Sequence, residues 1–157
     1  IKYILSYQFG SQAVNALKYI DVSRLSICIS KTTSRPRALL YNNELLAVIR
    51  ASDFYLVPHA LLGIALHKVL PFPKRRIVVV NEMVEDILSG NSVFAKHVLA
   101  ADSALRPFEE VLIVDEDDKL ICLGRTLLDY ETMITATHGV AAQIREKIRV
   151  YTLEEKL

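Results

Sequence analysis

The sequence predicts an α+β chain: a small α/β domain with an antiparallel sheet, followed by a β-barrel. Three observations carry this. Apolar spacing changes from a helical period to a period of two near residue 25, and an Asn42-Asn43 pair then separates two apolar runs. The second half is a series of short apolar segments divided by turn residues. Between the halves lies PFPKRR, stiffened by Pro71 and Pro73, which sets the boundaries at 1–73, 74–150 and a 151–157 tail.

Within the first domain, Tyr3, Ile4 and Tyr7 mark a helical stretch interrupted by Gly10, after which Phe9, Ala13, Leu17 and Ile20 continue at helical spacing. Leu25, Ile27 and Ile29 alternate with Ser26, Cys28 and Ser30 as a first strand. After a KTTSR turn, RPRALLY and ELLAVIR form a hairpin across Asn42-Asn43, because Asn tolerates positive φ. FYLV supplies a fourth strand. Pro58 is then expected in the first turn of a helix, HALLGIALHKVL, reaching Leu70.

In the second domain, Ile77 to Val80 reads as a strand and Glu82 to Leu88 as a helix that Gly90 ends in the left-handed conformation. Val93 to Leu99 reads as one strand. Glu110 to Asp115 and Lys119 to Leu128 pair across EDDK, Tyr130 to Ala136 has helical spacing, and Gly139 opens the closing strand. Along that strand Val140, Ala142, Ile144 and Ile148 share an apolar face, while Gln143, Arg145, Lys147 and Arg149 share a basic one.

At 157 residues the chain is expected to bury about two-thirds of its unfolded surface. No apolar run reaches the roughly 18 residues of a membrane span, so no membrane partner is expected. Cys28 and Cys122 fit two buried thiols in a reducing cytoplasm, and no signal peptide is visible. The chain opens at Ile1 rather than Met, which is compatible with a longer parent protein. The net charge of +1 divides unevenly: residues 1–76 hold eleven Lys and Arg against three acids, and residues 77–157 hold eight against fifteen. Attraction for a polyanion is therefore expected in the first half and the junction, where Lys74, Arg75 and Arg76 form a basic run.

Enzyme signatures are absent: there is no GxGxxG, GxxxxGK, GxSxG or HExxH, so no catalytic residue and no cofactor is assigned. The four histidines fall on different elements, and two cysteines give no metal-ligand spacing. Asp115 to Asp118 lacks the internal glycine and distal glutamate of a calcium loop and reads as an acidic turn.

GNSVFAKHV at 90–98, LGRTLLDYETM at 123–133 and HGVAAQIR at 138–145 resemble a PUA domain, a small RNA-binding barrel attached to RNA-modifying enzymes. YQFG at 7–10 and SKTTSRPRALLYNNELLAVIRASDF at 30–54 are similar to the domain preceding the PUA domain in archaeal-type tRNA-guanine transglycosylases. The resemblance spans residues 1 to about 150 and lacks the family's catalytic barrel, which alone takes about 250 residues. It implies an RNA-binding accessory for tRNA or another structured RNA, working beside a tRNA-modifying enzyme, or a tRNA-holding fragment or subunit of such an enzyme. A protein-interaction module is the further alternative, and the oligomeric state is left open.

The resemblance implies an RNA groove formed by the first helix of the barrel, the glycine loop and the final strand. The candidate RNA-binding residues are Gly90, Asn91, Ser92, Lys96, His97, Arg125, Arg145 and Lys147, joined by Lys74, Arg75 and Arg76. Loop amides and hydroxyls suit phosphate, lysine adds a point charge, and Arg125 offers a planar fork or a stacking surface. Each has a structural counterpart: Gly90 as a helix cap, and Gly124-Arg125 as a bulge with Arg125 paired to a carboxylate. Two departures from the family pattern stand out. Phe108 follows Pro107 where glycine is usual, and His97 stands where an apolar residue or glycine is more common.

Overall fold

The protein is described by a computed structural model covering residues 1–148; Arg149 and the 151–157 tail lie outside the described residues. Two compact units result, Ile1–Leu70 and a second starting at Pro71.

In the first unit, α1 (Lys2–Phe9) stops at Gly10, whose φ of 98° opens a 3-10 helix, Ser11–Lys18. A three-residue period then governs burial: Ala13 and Ala16 are fully buried, and Leu17 is displaced from its expected core position toward the surface. Strands β1 (Leu25–Ile29), β2 (Pro36–Tyr41), β3 (Glu44–Ile49) and β4 (Leu56–Pro58) form an antiparallel meander in that order. Asn42 and Asn43 take φ values of 51° and 66° at the predicted hairpin. Gln8 of YQFG joins helix to sheet: its buried carboxamide donates to Leu56 O at 2.7 Å and accepts from Leu56 N at 2.8 Å.

Two expectations are corrected here. Pro58 is the last residue of β4, an edge strand where its missing N–H breaks no internal ladder, and α2 (Ala60–Val69) starts after His59. Cys28 is exposed on edge strand β1, so only Cys122 is a buried thiol.

The second unit is a nearly closed, barrel-like sheet of six strands, ordered β6-β10-β9-β8-β5-β7. These are β5 (Arg76–Val79), β6 (Val93–Phe94), β7 (Val98–Ala101), β8 (Glu110–Val114), β9 (Leu120–Thr126) and β10 (Val140–Lys147). Among the described residues, only the β5–β8 pair of this sheet is parallel. The segment expected as one strand from Val93 to Leu99 is split by a 3-10 turn, Ala95–His97. The split closes the fold: Val93 and Phe94 pair with β10 at one end of the sheet, and Val98 onward pairs with β5 at the other. α3 (Val84–Leu88) follows a 3-10 turn at Asn81–Met83, and Gly90 beyond it has φ 106°. α4 (Tyr130–Thr135) is capped by Asp129, whose carboxylate accepts from Thr132 N at 2.8 Å. Ile77, Val79, Ile87, Val93, Ile113, Cys122 and Met133 lie in the core of the barrel.

Candidate nucleic-acid interface

Strand β10 organises the candidate residues, and its irregularities decide where they point. Gln143 registers with Arg125 and Ile144 with Gly124, but the ladder shifts between Ile144 and Glu146, so that Lys147 registers with Cys122. The extra residue moves Lys147 off the face of Gln143, and the unbroken basic face expected from strict alternation does not form. Lys147 leans instead toward the glycine loop: a Cβ built on Gly90 would lie 3.8 Å from its Nζ.

That loop is less open to phosphate than its composition suggests. Gly90 N donates to Ile87 O at 2.9 Å, and Asn91 N lies 3.4 Å from Asp86 O. Asn91 Nδ2 donates to the Asp86 carboxylate at 2.7 Å. These amides serve the end of α3, so the donors expected for RNA at Gly90 and Asn91 are engaged in the cap. Ser92 is half-buried beside them.

Lys96 is exposed in the 3-10 turn between β6 and β7. With Phe94, Thr137, His138 and Gly139 it lines a depression of about 350 Å³ at the start of β10. Phe94 is 40% exposed, and His138 Nδ1 lies 2.8 Å from Thr137 Oγ1. His97 does not line it: half-buried, it accepts from Val80 N through its carbonyl. From the sequence alone His97 is a candidate and Phe94 and His138 are not, because the turn at Ala95–His97 cannot be seen in an apolar alternation that runs through it.

Gly124 has a steric role. A Cβ there would stand 2.7 Å from Gln143 O and 2.6 Å from Ile113 Cδ1, so β9 and β10 meet only over a glycine. Arg125 follows, half-buried, with its guanidinium carbon 5.1 Å from the centre of the Phe108 ring and its Nε without a hydrogen-bond partner among the described residues. Arg145, exposed, reaches buried Glu110 at 3.6 Å.

The junction is corrected most. Arg76 is 2% exposed, belongs to β5, and bonds Asp118 Oδ1 through Nε at 2.6 Å and Lys74 O through Nη1 at 3.1 Å. Arg75 pairs with Glu109 at 3.2 Å, and its backbone N–H donates to Asp102. A flexible basic run sensing phosphate is therefore replaced by two fixed arginines facing carboxylates, with half-buried Lys74 before them. Residues 1–70 keep eight Lys and Arg against three acids without the junction.

In the first unit, Tyr3, Tyr7, Phe54 and Tyr55 line an apolar groove of about 780 Å³. Tyr3 is 91% exposed and Tyr7 79%. The Tyr7 and Tyr55 rings meet edge-on at 5.9 Å, and Arg50 lies over Tyr55 at 5.2 Å. Arg50 also forks onto Asp53 through Nε and Nη2. Burial pushes the Asp53 carboxyl up, but the Tyr55 N–H and Arg50 bonds outweigh it and hold it below its ordinary range.

Residues 1–73 match the patch-forming domain C2 of tRNA-guanine transglycosylase, and residues 75–148 match the PUA domain. The chain is a C2 domain followed by a PUA domain. It is 39% identical over 150 residues to a tRNA-guanine(15) transglycosylase from Methanococcus vannielii, covering 96% of this chain and 22% of that protein, in its C-terminal region. The C2–PUA chain thus spans about a fifth of the length of the relatives it matches. A solved structure of a hypothetical protein from Pyrococcus horikoshii superposes with a TM-score of 0.70 at 21% identity, covering 100% of this chain and 93% of that one. A conserved PUA domain protein from Thermoplasma acidophilum does so with 0.56 at 20% identity, covering 84% and 83%. At such identities these two likenesses establish the fold.

Proposed function

We propose that the C2–PUA chain is a non-catalytic RNA-binding accessory to RNA modification, with tRNA as the RNA it binds. The observation carrying this reading is the placement of Lys96 beside exposed Phe94 and His138 on the rim of the PUA barrel, in a chain whose whole described length matches the C-terminal region of tRNA-modifying enzymes. A cation next to an exposed ring and an imidazole suits a phosphate flanked by an unpaired base. Lys147 beside Gly90 adds a second cation near the end of β10. Titration of labelled tRNA against the wild-type chain, Lys96→Ala and Lys147→Ala tests it. Each variant is expected to bind several-fold more weakly with an unchanged melting temperature. Wild-type affinity in both variants contradicts the proposed site.

A second reading, as the tRNA-holding portion or subunit of a transglycosylase-type enzyme, is supported by the aromatic groove of the C2 domain. Exposed Tyr3 and Tyr7 are unusual on a small domain and suit a protein surface. Co-purification with the remaining polypeptide of such an enzyme, lost on Tyr3→Ser and Tyr7→Ser, separates this reading from a stand-alone accessory.

A further inference from the structure

Phe108 combines three properties that a residue in a surface turn need not share. Its φ is 68°, a left-handed backbone that a bulky side chain adopts only against a steric cost. Its ring is 57% exposed, so core packing does not compensate that cost. One side of the ring is occupied by the Arg125 guanidinium at 5.1 Å.

The turn that presents the ring is fixed by hydrogen bonds. Phe108 N donates to Thr126 O at 2.8 Å. The fully buried Thr126 hydroxyl accepts from Glu109 N at 2.9 Å and donates to Arg106 O at 2.6 Å. Ring and guanidinium are thus held against β9 before any ligand arrives. Around them stand exposed Gln143 and Arg145, on the neighbouring strand, and exposed Arg106.

We propose that Phe108 and Arg125 form a stacking platform for one unpaired RNA base, with Phe108 presenting its open side to the base and Arg125 backing the ring. The proposal rests on the RNA-binding reading and adds a residue that selects for single-stranded character. Stacking on an aromatic ring tolerates any base, and Arg125 behind the ring limits its motion, so little order is lost on binding. A paired base is unavailable to such a platform, because its faces are covered by its neighbours in the helix.

The test uses the full chain and two RNAs, a hairpin with a single-stranded overhang carrying a fluorescent purine analogue and a blunt duplex of matched length. Phe108→Gly removes ring and strain together, Phe108→Leu keeps an apolar side chain without a ring, and Phe108→Trp keeps the stacking surface. Glycine and leucine variants are expected to bind the overhang RNA about five- to tenfold more weakly and to abolish the stacking-dependent fluorescence change. Blunt-duplex binding stays as in wild type, and the tryptophan variant retains overhang binding. The melting temperature of Phe108→Gly is expected not to fall, which separates this role from a structural cover over Arg125. Full overhang affinity in the glycine and leucine variants overturns the platform while leaving RNA binding intact. Equal losses on both RNAs also overturn it, since stacking then plays no part. A wild-type chain that binds neither RNA overturns the underlying reading and the platform with it.

Discussion

Arg76 Nε and Asp118 Oδ1 lie 2.6 Å apart, so a buried arginine at the start of the PUA barrel is neutralised by the last aspartate of the acidic turn between β8 and β9. Two runs that look separately like interaction signals, KRR at 74–76 and DEDD at 115–118, are parts of one structural arrangement. The turn is otherwise self-contained, with Asp115 Oδ1 accepting from Asp117 N and Lys119 N at 2.9 Å each.

Asp118→Asn should therefore destabilise the barrel by about 2 kcal/mol, because Arg76 keeps its charge and loses a charged acceptor. Solvent near Asp118 moderates the loss. Thermal melting checks this, and RNA affinity at a temperature where the variant is folded should be unchanged.

Gly124→Ala is expected to be among the more damaging single-atom additions to this chain. The new methyl group meets Gln143 O at 2.7 Å, and backbone cannot swing aside as a side chain does. A loss of about 1–3 kcal/mol follows from such overpacking. Chemical denaturation measures it, and an unchanged midpoint would mean that the two strands separate more easily than their register implies.

The two thiols should behave oppositely. Burial pushes the Cys122 thiol up to about 12, whereas Cys28 is exposed on the edge of the C2 sheet. At neutral pH a thiol reagent should label Cys28 in the native chain and Cys122 only on unfolding. Mass spectrometry of the labelled peptides distinguishes them.

Asp129 links stability to pH. Its bonds from Thr132, through the side chain and then the backbone N–H, hold the carboxyl below its ordinary value of 3.8. A carboxylate with a depressed folded value stabilises above the unfolded value and loses that contribution as pH falls through the folded one. Asp129→Ala should thus melt lower than wild type at pH 7, with the difference vanishing below the ordinary carboxylate range. A difference that persists in strong acid would show that the cap acts without its charge.

Much of the fold was legible because its signals are local. The Asn42-Asn43 hairpin, the glycine ending α3, the β8–β9 hairpin and the opening of β10 after Gly139 each rest on residues whose backbone preferences act over a few positions. What failed depended on partners distant in sequence. Nothing near Arg76 announces Asp118, and nothing in VFAKHVL shows that its two halves must join opposite ends of one sheet. The bulge that turns Lys147 toward Gly90 arises between two strands, so strict alternation within β10 could not reveal it. At the candidate site, Lys96 was legible as an exposed cation, whereas Phe94 and His138 beside it became visible only once β6 was paired with β10. Phe108 was legible as a departure, and its ring contact with Arg125 required the fold.

Whether this C2–PUA chain holds tRNA through phosphate and base contacts is decided by the salt dependence of its tRNA affinity. Each phosphate contact releases roughly 0.7 to 0.9 of a counterion, so a few contacts give a steep linear decline of log affinity with log salt. Such a decline is expected, with a slope reduced by about one in Lys96→Ala. No binding at low salt, or binding indifferent to salt, would contradict it.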